Sequence, residues 1–120
     1  MHGVIAASAG NHAQGLALAA HKLGIKATIV MPITTPDIKV DNVRRYGAEV
    51  RLIGKSFNEA QQASMEYAQA ENKTVIQPCD DSDVIAGQGT VATELLKQRP
   101  HTDVGIIPVC GGGLLAGMAG

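Results

Sequence analysis

The sequence predicts an α/β fold, a three-layer parallel sheet with crossover helices, and three observations predict it. Short β-branched apolar runs alternate with longer amphipathic stretches, the mark of strands alternating with helices. Each amphipathic stretch lies between two such runs, and a connection long enough to hold a helix forces the strands it joins to run parallel. The runs read as continuous rather than alternating, as strands buried on both faces do.

Five strand–helix units are expected. Val4 to Ala7 reads as the first buried strand, and after a Ser-Ala-Gly turn a helix runs from about Asn11 to Leu23, with Ala13, Leu16, Ala17, Ala20 and Leu23 on one face. Gly24 stops it. Ala27 to Met31 is the second strand; Thr35 then caps a helix whose first position is Pro36, where a missing N–H costs nothing, and Gly47 ends that helix after Tyr46. Val50 to Ile53 is the third strand. Ser56-Phe57-Asn58-Glu59 is a capping box that opens the third helix, which extends to about Asn72. Thr74 to Gln77 is the fourth strand, and after the Pro78-Cys79-Asp80 turn a helix reaches Arg99, with Pro100 just beyond it. Asp103 to Val109 is the fifth strand. It leads into Cys110-Gly111-Gly112-Gly113 and a short last helix at Leu114-Leu115-Ala116.

Composition narrows the function. With 120 residues, 45% hydrophobic and 18% charged, the chain is read as a single α/β unit over 1–120 with a real core. That core is aliphatic, because Tyr46, Phe57 and Tyr67 are the only aromatics. Ten basic against eleven acidic residues, with no basic block longer than Arg44-Arg45, and so few rings for stacking argue against a nucleic-acid binder. No apolar run approaches the ~20 residues of a membrane helix. The start Met1-His2-Gly3-Val4-Ile5 lacks a basic leader and a cleavage site, and Cys79 and Cys110 show neither CxxC spacing nor neighbouring His. A cytoplasmic setting, no membrane partner, no zinc site and no disulfide framework are the expectations.

In open α/β sheets ligands sit outside the carboxyl ends of the strands, which makes the strand-to-helix turns informative. Ser8-Ala9-Gly10-Asn11-His12-Ala13-Gln14-Gly15 places small and amide side chains at a helix start, where free N–H groups and the positive dipole end attract an anion. Gly111-Gly112-Gly113 offers a backbone without Cβ atoms at another helix start. Each turn also has a ligand-free reading as a tight turn. Neither the Walker pattern nor the dinucleotide fingerprint is present. His12 and Ser8 lack the partners of a general base or an activated nucleophile, whereas the Asn11 amide can donate to a charged ring oxygen without titrating. The acidic run Asp80, Asp81, Asp83 reads as a helix cap in preference to a metal site.

These residues are similar to a known family. Ser8 to Gly15, then Ile85-Ala86-Gly87-Gln88-Gly89-Thr90, then Pro108-Val109-Cys110-Gly111-Gly112-Gly113-Leu114 resemble, in order and spacing, the pyridoxal-phosphate-dependent threonine dehydratases of the tryptophan synthase beta-like superfamily. The resemblance covers essentially the whole chain. His12 after Asn11 points to threonine or serine dehydratases and serine racemases, and Ile38-Lys39-Val40-Asp41 resembles the biosynthetic threonine dehydratase, which serves isoleucine biosynthesis.

The resemblance implies a fold type II catalytic domain and pyridoxal 5'-phosphate as cofactor. It implies that Asn11 faces the cofactor's ring oxygen, that Ser8, Ala9, Gly10, Asn11, His12 and Gln14 hold the carboxylate of L-threonine or L-serine, and that Gly111, Gly112, Gly113 and Leu114 cradle the phosphate. The family reaction converts L-threonine to 2-oxobutanoate and ammonia. Two departures accompany the resemblance: Cys110 stands where the family has the first of four glycines, and none of Lys22, Lys26, Lys39, Lys55, Lys73 or Lys97 has the Ser-Phe-Lys-x-Arg-Gly context of the Schiff-base lysine. No catalytic residue is therefore assigned. The expectation is an internal fragment of a threonine dehydratase, inactive alone; the competing reading is a stand-alone phosphate-binding or interaction module. Self-association is expected from apolar surface at Val4 to Ala7, Ile106 to Val109 and Leu114 to Ala116.

Overall fold

A computed structural model describes residues 2–120. The chain forms two compact units, Met1–Ile76 and Gln77–Gly120.

The first unit holds β1 (Val4–Ala7), α1 (Asn11–Leu23), β2 (Ala27–Met31), α2 (Asp37–Arg45), β3 (Glu49–Leu52), α3 (Phe57–Ala70) and β4 (Thr74–Val75). All pairings are parallel, in the order β3-β2-β1-β4, with Val4 opposite Ala27 and Thr74, and Thr28 opposite Glu49. The α/β prediction holds for these four strands. On one sheet face Val4, Ala6, Ile29 and Met31 cluster with Ala13, Ala17 and Ala20 of α1 and with Val40 and Val43 of α2. On the other, Ile5 and Val30 pack with Ala60 and Ala68 of α3. The alanine stripe of α1 lets that helix sit close to the sheet; Leu23, expected on the same stripe, is instead exposed at the helix end.

Burial on both faces belongs to β1 and β2 alone, whose every residue is buried. The edge strands are half covered: β3 turns Val50 to the α1–α2 face and carries Glu49 and Arg51 on alternate positions. Val4 to Ala7, expected as bare apolar surface, lies in the middle of the sheet and is covered by α1 and α3. The fifth strand is absent. Residues 103–109 carry no strand, because a strand exists only where a neighbour takes its N–H and C=O groups, and the Gln77–Gly120 unit to which they belong holds no other strand among the described residues.

Helix ends follow local chemistry. Gly24 closes α1 in the left-handed region at φ 66°. Pro36 rather than Thr35 occupies the cap position of α2, and the Thr35 hydroxyl donates backwards to the Pro32 carbonyl at 2.7 Å. Ser56 Oγ accepts from the Glu59 N–H at 3.3 Å as expected, while the Glu59 carboxylate takes the Lys55 N–H instead of that of Ser56. The reciprocal half of the box is displaced by one residue.

Glu71 organises a charged clasp on the α3 face, around Arg51, Glu49, Lys73 and Thr28. Arg51 donates through Nη1 and Nη2 to the two Glu71 carboxylate oxygens and through Nε to Glu49 at 2.8 Å, and its guanidinium lies 4.4 Å from the centre of the Tyr67 ring. Lys73 Nζ reaches Glu71 at 2.6 Å and Thr28 at 2.7 Å. Hydrogen bonds from Arg51, then Lys73, hold the Glu71 carboxyl down at about 2, below its ordinary 4.5. A depressed carboxylate stabilises the folded state above its unfolded value and loses that contribution as protons bind. Acid should therefore weaken the unit as pH falls from about 4.5 towards 2. Urea midpoints across that range should drop less steeply in Glu71→Gln; an unchanged slope would show that the clasp contributes nothing.

The second unit is α4 (Ser82–Gln98) and α5 (Gly113–Ala119) with the chain between them. Asp81 caps α4, its Oδ1 accepting from Asp83 at 2.8 Å and Val84 at 3.2 Å, so the acidic run is a helix cap. α4 and α5 meet at glycines. A Cβ on Gly117 would lie 2.3 Å from the Ile85 carbonyl oxygen and 2.7 Å from the Gly89 nitrogen, and one on Gly89 would lie 2.7 Å from the Gly117 carbonyl oxygen. Glycine is required there by space.

Candidate functional site

The first candidate turn follows the carboxyl end of β1. Its anchor is Ser8, buried, whose N–H donates to Val30 and whose Oγ accepts from the N–H groups of Gly10 at 3.3 Å and Ala13 at 3.2 Å. Ser8 thus ties down α1 from two residues before its cap position, where Gly10 provides no side chain to do so. The remaining first-turn amides, those of Asn11 and His12, have no acceptor within the helix, as donors at a helix start do, and such donors suit an anion. Asn11 is exposed, with its side-chain amide at the helix start; Ala9, Gly10, His12 and Gln14 are half-buried.

His12 has a structural task. Its Nε2 lies 3.1 Å from the Ile76 carbonyl oxygen, and since a carbonyl only accepts, that nitrogen carries the proton. Ile76 itself donates to the Ile5 carbonyl at 3.0 Å, so the imidazole pins the chain leaving β4 to the start of α1. Sixty-four residues separate His12 from Ile76, and no local pattern announces such a bond. Within this turn Ser8 and His12 therefore support geometry, while the amides of Asn11 and His12, at the helix start, and the exposed side chain of Asn11 are left as donors.

The second candidate turn belongs to the Gln77–Gly120 unit. Gly112 caps α5 with φ 88°, a conformation that costs any other residue about 1 kcal/mol or more, and no side chain caps the helix. The first helical bond is from Ala116 N–H to the Gly112 carbonyl at 2.9 Å, which leaves the amides of Gly113, Leu114 and Leu115 without helical acceptors. A Cβ on Gly112 would meet nothing within 4 Å, so the backbone conformation and not crowding selects glycine there. Gly111 is constrained otherwise: a Cβ there would fall 2.1 Å from Cys79 Sγ. Gly113 is buried against Cys79 and Pro78, at ordinary contact distances of 3.5–3.6 Å. The left-handed position is Gly112; Cys110, exposed, has none of this demand, since Asn72 is the only non-glycine with positive φ among the described residues. The cradle's donors and its missing Cβ suit a phosphate group.

No helix among the described residues is long and apolar enough to cross a membrane. A family model described as "Pyridoxal-phosphate dependent enzyme" matches residues 1–120. The chain is 57% identical over 117 residues to the biosynthetic L-threonine dehydratase IlvA of Pasteurella multocida, and 56% identical over 118 residues to that of Escherichia coli (strain K12). In each case 98% of this chain is matched to 23% of the dehydratase, so the chain spans about a quarter of the length of these relatives. Among solved structures, the processed form of threonine deaminase isoform 2 from Solanum lycopersicum superposes with a TM-score of 0.89 at 52% identity, over 98% of this chain and 32% of that one. Maize serine racemase superposes with a TM-score of 0.92 at 41% identity, over 98% and 36%.

Proposed function

Because the chain belongs to the pyridoxal-phosphate dependent enzyme family, we propose that it is part of the catalytic domain of a threonine (serine) dehydratase, converting L-threonine to 2-oxobutanoate and ammonia in the whole enzyme. The observation that carries this reading is the uncapped start of α5, where Gly112 opens a cradle of free amides. Pyridoxal 5'-phosphate, when bound, supplies an electron sink for the carbanion left by loss of the α-proton. Gly111 to Leu114 would hold its phosphate through backbone N–H groups, which donate to an oxyanion with no side chain to displace. Asn11 would donate its side-chain amide to the ring oxygen, and the Ser8–Gln14 turn would hold the substrate carboxylate through the N–H groups that the fold leaves uncommitted, those of Asn11 and His12 among them. Ser8 Oγ is committed to Gly10 and Ala13, which fixes the directions in which those amides point.

No lysine of this chain has the sequence context of the family's cofactor-bearing residue, and Lys73 is engaged by Glu71 and Thr28. The chain by itself is therefore expected to release no 2-oxo acid from L-threonine above the rate of free cofactor. Phosphate should still bind at millimolar concentration, about −4 kcal/mol. Titration of inorganic phosphate followed by amide NMR should move Gly111, Gly112 and Gly113 first. Shifts confined to Asp80–Asp83 would overturn the cradle, and turnover abolished by Asn11→Ala would overturn the expectation of an inactive fragment.

Self-association belongs to the same reading. Val104, Ile106 and Val109 are 80%, 99% and 63% exposed in a segment that pairs with no strand, an arrangement that favours contact with another chain. Sedimentation over a dilution series should show association at micromolar concentration; a monomer throughout would remove this part.

A further inference from the structure

Cys79 and Cys110 are far apart in sequence, and nothing in their spacing pairs them. The fold brings them together at the second turn. Cys79 Sγ occupies the place a Gly111 side chain would take, 2.1 Å from the Cβ position, so it lies within about 3.6 Å of the Gly111 Cα, one carbon–carbon bond further on. Cys110 is the adjoining residue, its Cα about 3.8 Å from that of Gly111. Both thiols are free, Cys79 half-buried against Gly111 and Cys110 exposed.

We propose that Cys79 and Cys110 are a reversible redox pair, a modification site for low-molecular-weight disulfides that closes on the Gly111–Gly113 turn. The exposed Cys110 thiolate attacks one sulfur of the small disulfide, breaking its S–S bond and releasing one thiol. Cys79 then attacks the Cys110 sulfur of the mixed disulfide and expels the second thiol. Two cysteines are oxidised, the small disulfide is reduced to two thiols, and the two cysteine protons end on the released thiols. Gly111 and Gly112, free of side chains, let the turn rotate Cys110 the remaining few ångströms to disulfide geometry. The same rotation turns the peptide between Cys110 and Gly111. On the cradle reading given above, it withdraws an amide from a bound phosphate.

The test uses the whole chain, first reduced and then equilibrated with oxidised glutathione. Peptide mass mapping without reduction should show one intrachain link between the Cys79 and Cys110 peptides, reversed by dithiothreitol, whereas Cys79→Ser should retain a glutathione adduct on Cys110. Glutathione on both cysteines, links only between chains, or no reaction at Cys110 would overturn the pair. A second readout separates the two ideas: amide shifts at Gly111–Gly113 should report phosphate binding at least tenfold weaker in the bridged chain than in the reduced one. Equal affinity in both forms would overturn the coupling to the cradle. No phosphate binding in either form would overturn the cradle reading and the coupling with it, while a mapped bridge would uphold the redox pair.

Discussion

Replacing Gly117 with alanine should unfold the packing of α4 on α5, at a cost of about 3 kcal/mol, the upper end for overpacking a tight contact. The added Cβ would meet the Ile85 carbonyl oxygen at 2.3 Å, the Gly89 nitrogen at 2.7 Å and the Gln88 carbonyl carbon at 3.1 Å. All three are backbone atoms of a regular helix and cannot swing aside as the end of a side chain can. Relief requires α5 to move away from α4, and no other helix covers that contact within the Gln77–Gly120 unit. Gly87→Ala is the matching control. Gly87 lies in the interior of α4 with nothing within 4 Å of its Cβ position, so the same change should stabilise by about 0.5–1 kcal/mol, the helix cost of glycine relative to alanine. Urea denaturation followed by helical circular dichroism reads both variants. Equal effects of either sign would show that α4 and α5 do not meet at their glycines.

Ile5→Ala should be the most costly single truncation in the first unit, about 2–5 kcal/mol. Ile5 has no exposed surface and is, with Val30, one of the two large side chains in the buried cluster beneath α3, whose other buried members are Ala60 and Ala68. Ala60 and Ala68 have little side chain to move into the void, and the larger neighbours Ile53, Tyr67 and Val75 are only partly buried, so a cavity term adds to the lost burial. Ile5 also pairs with both Thr28 and Val75, and its carbonyl takes the Ile76 N–H, so loosening it releases β4 and the His12 bond to Ile76. The first turn would lose its pin together with its core. Ile5→Val should cost about 0.5–1.5 kcal/mol, and Ile38→Ala, at a side chain 71% exposed, less than about 0.5 kcal/mol. The three midpoints should fall in that order; a loss at Ile38 matching that at Ile5 would place the core elsewhere.

What was legible in the sequence was whatever neighbouring residues decide among themselves. The alternation of apolar runs and amphipathic stretches marks five strands, and the first four of them form a parallel sheet with crossovers, because each run must be buried and each connection must return to the same end of the sheet. Gly24 as a helix stop, Ser56 as a cap and the Asp81 run as a cap all depend on hydrogen bonds spanning a few residues. The motifs at Ser8–Gly15 and Gly111–Leu114 were readable for the same reason: a helix start after a strand supplies its donors locally.

Contacts between distant residues belong to the tertiary structure. Asp103–Val109 carries every mark of a strand, yet strand identity needs a partner ladder, and the Gln77–Gly120 unit has no other strand among the described residues to provide it. Val50–Ile53 reads as buried from its apolar residues, but at a sheet edge Arg51 is free to leave the core and join Glu49 and Glu71. His12 looks like a solvated or catalytic residue until Ile76 is placed against it, and Ser8 looks like a substrate contact until its Oγ is found holding Gly10 and Ala13. Cys79 against Gly111 and Gly117 against Ile85 are likewise invisible in one dimension. Hydropathy and capping are properties of short windows, so the sequence by itself determined the order of elements from β1 to α4 and the helix starts at Asn11 and Gly113. Excluded volume and hydrogen bonding act wherever the folded chain brings atoms together, so only the tertiary structure decided which side chains are anchors and which groups remain free to bind.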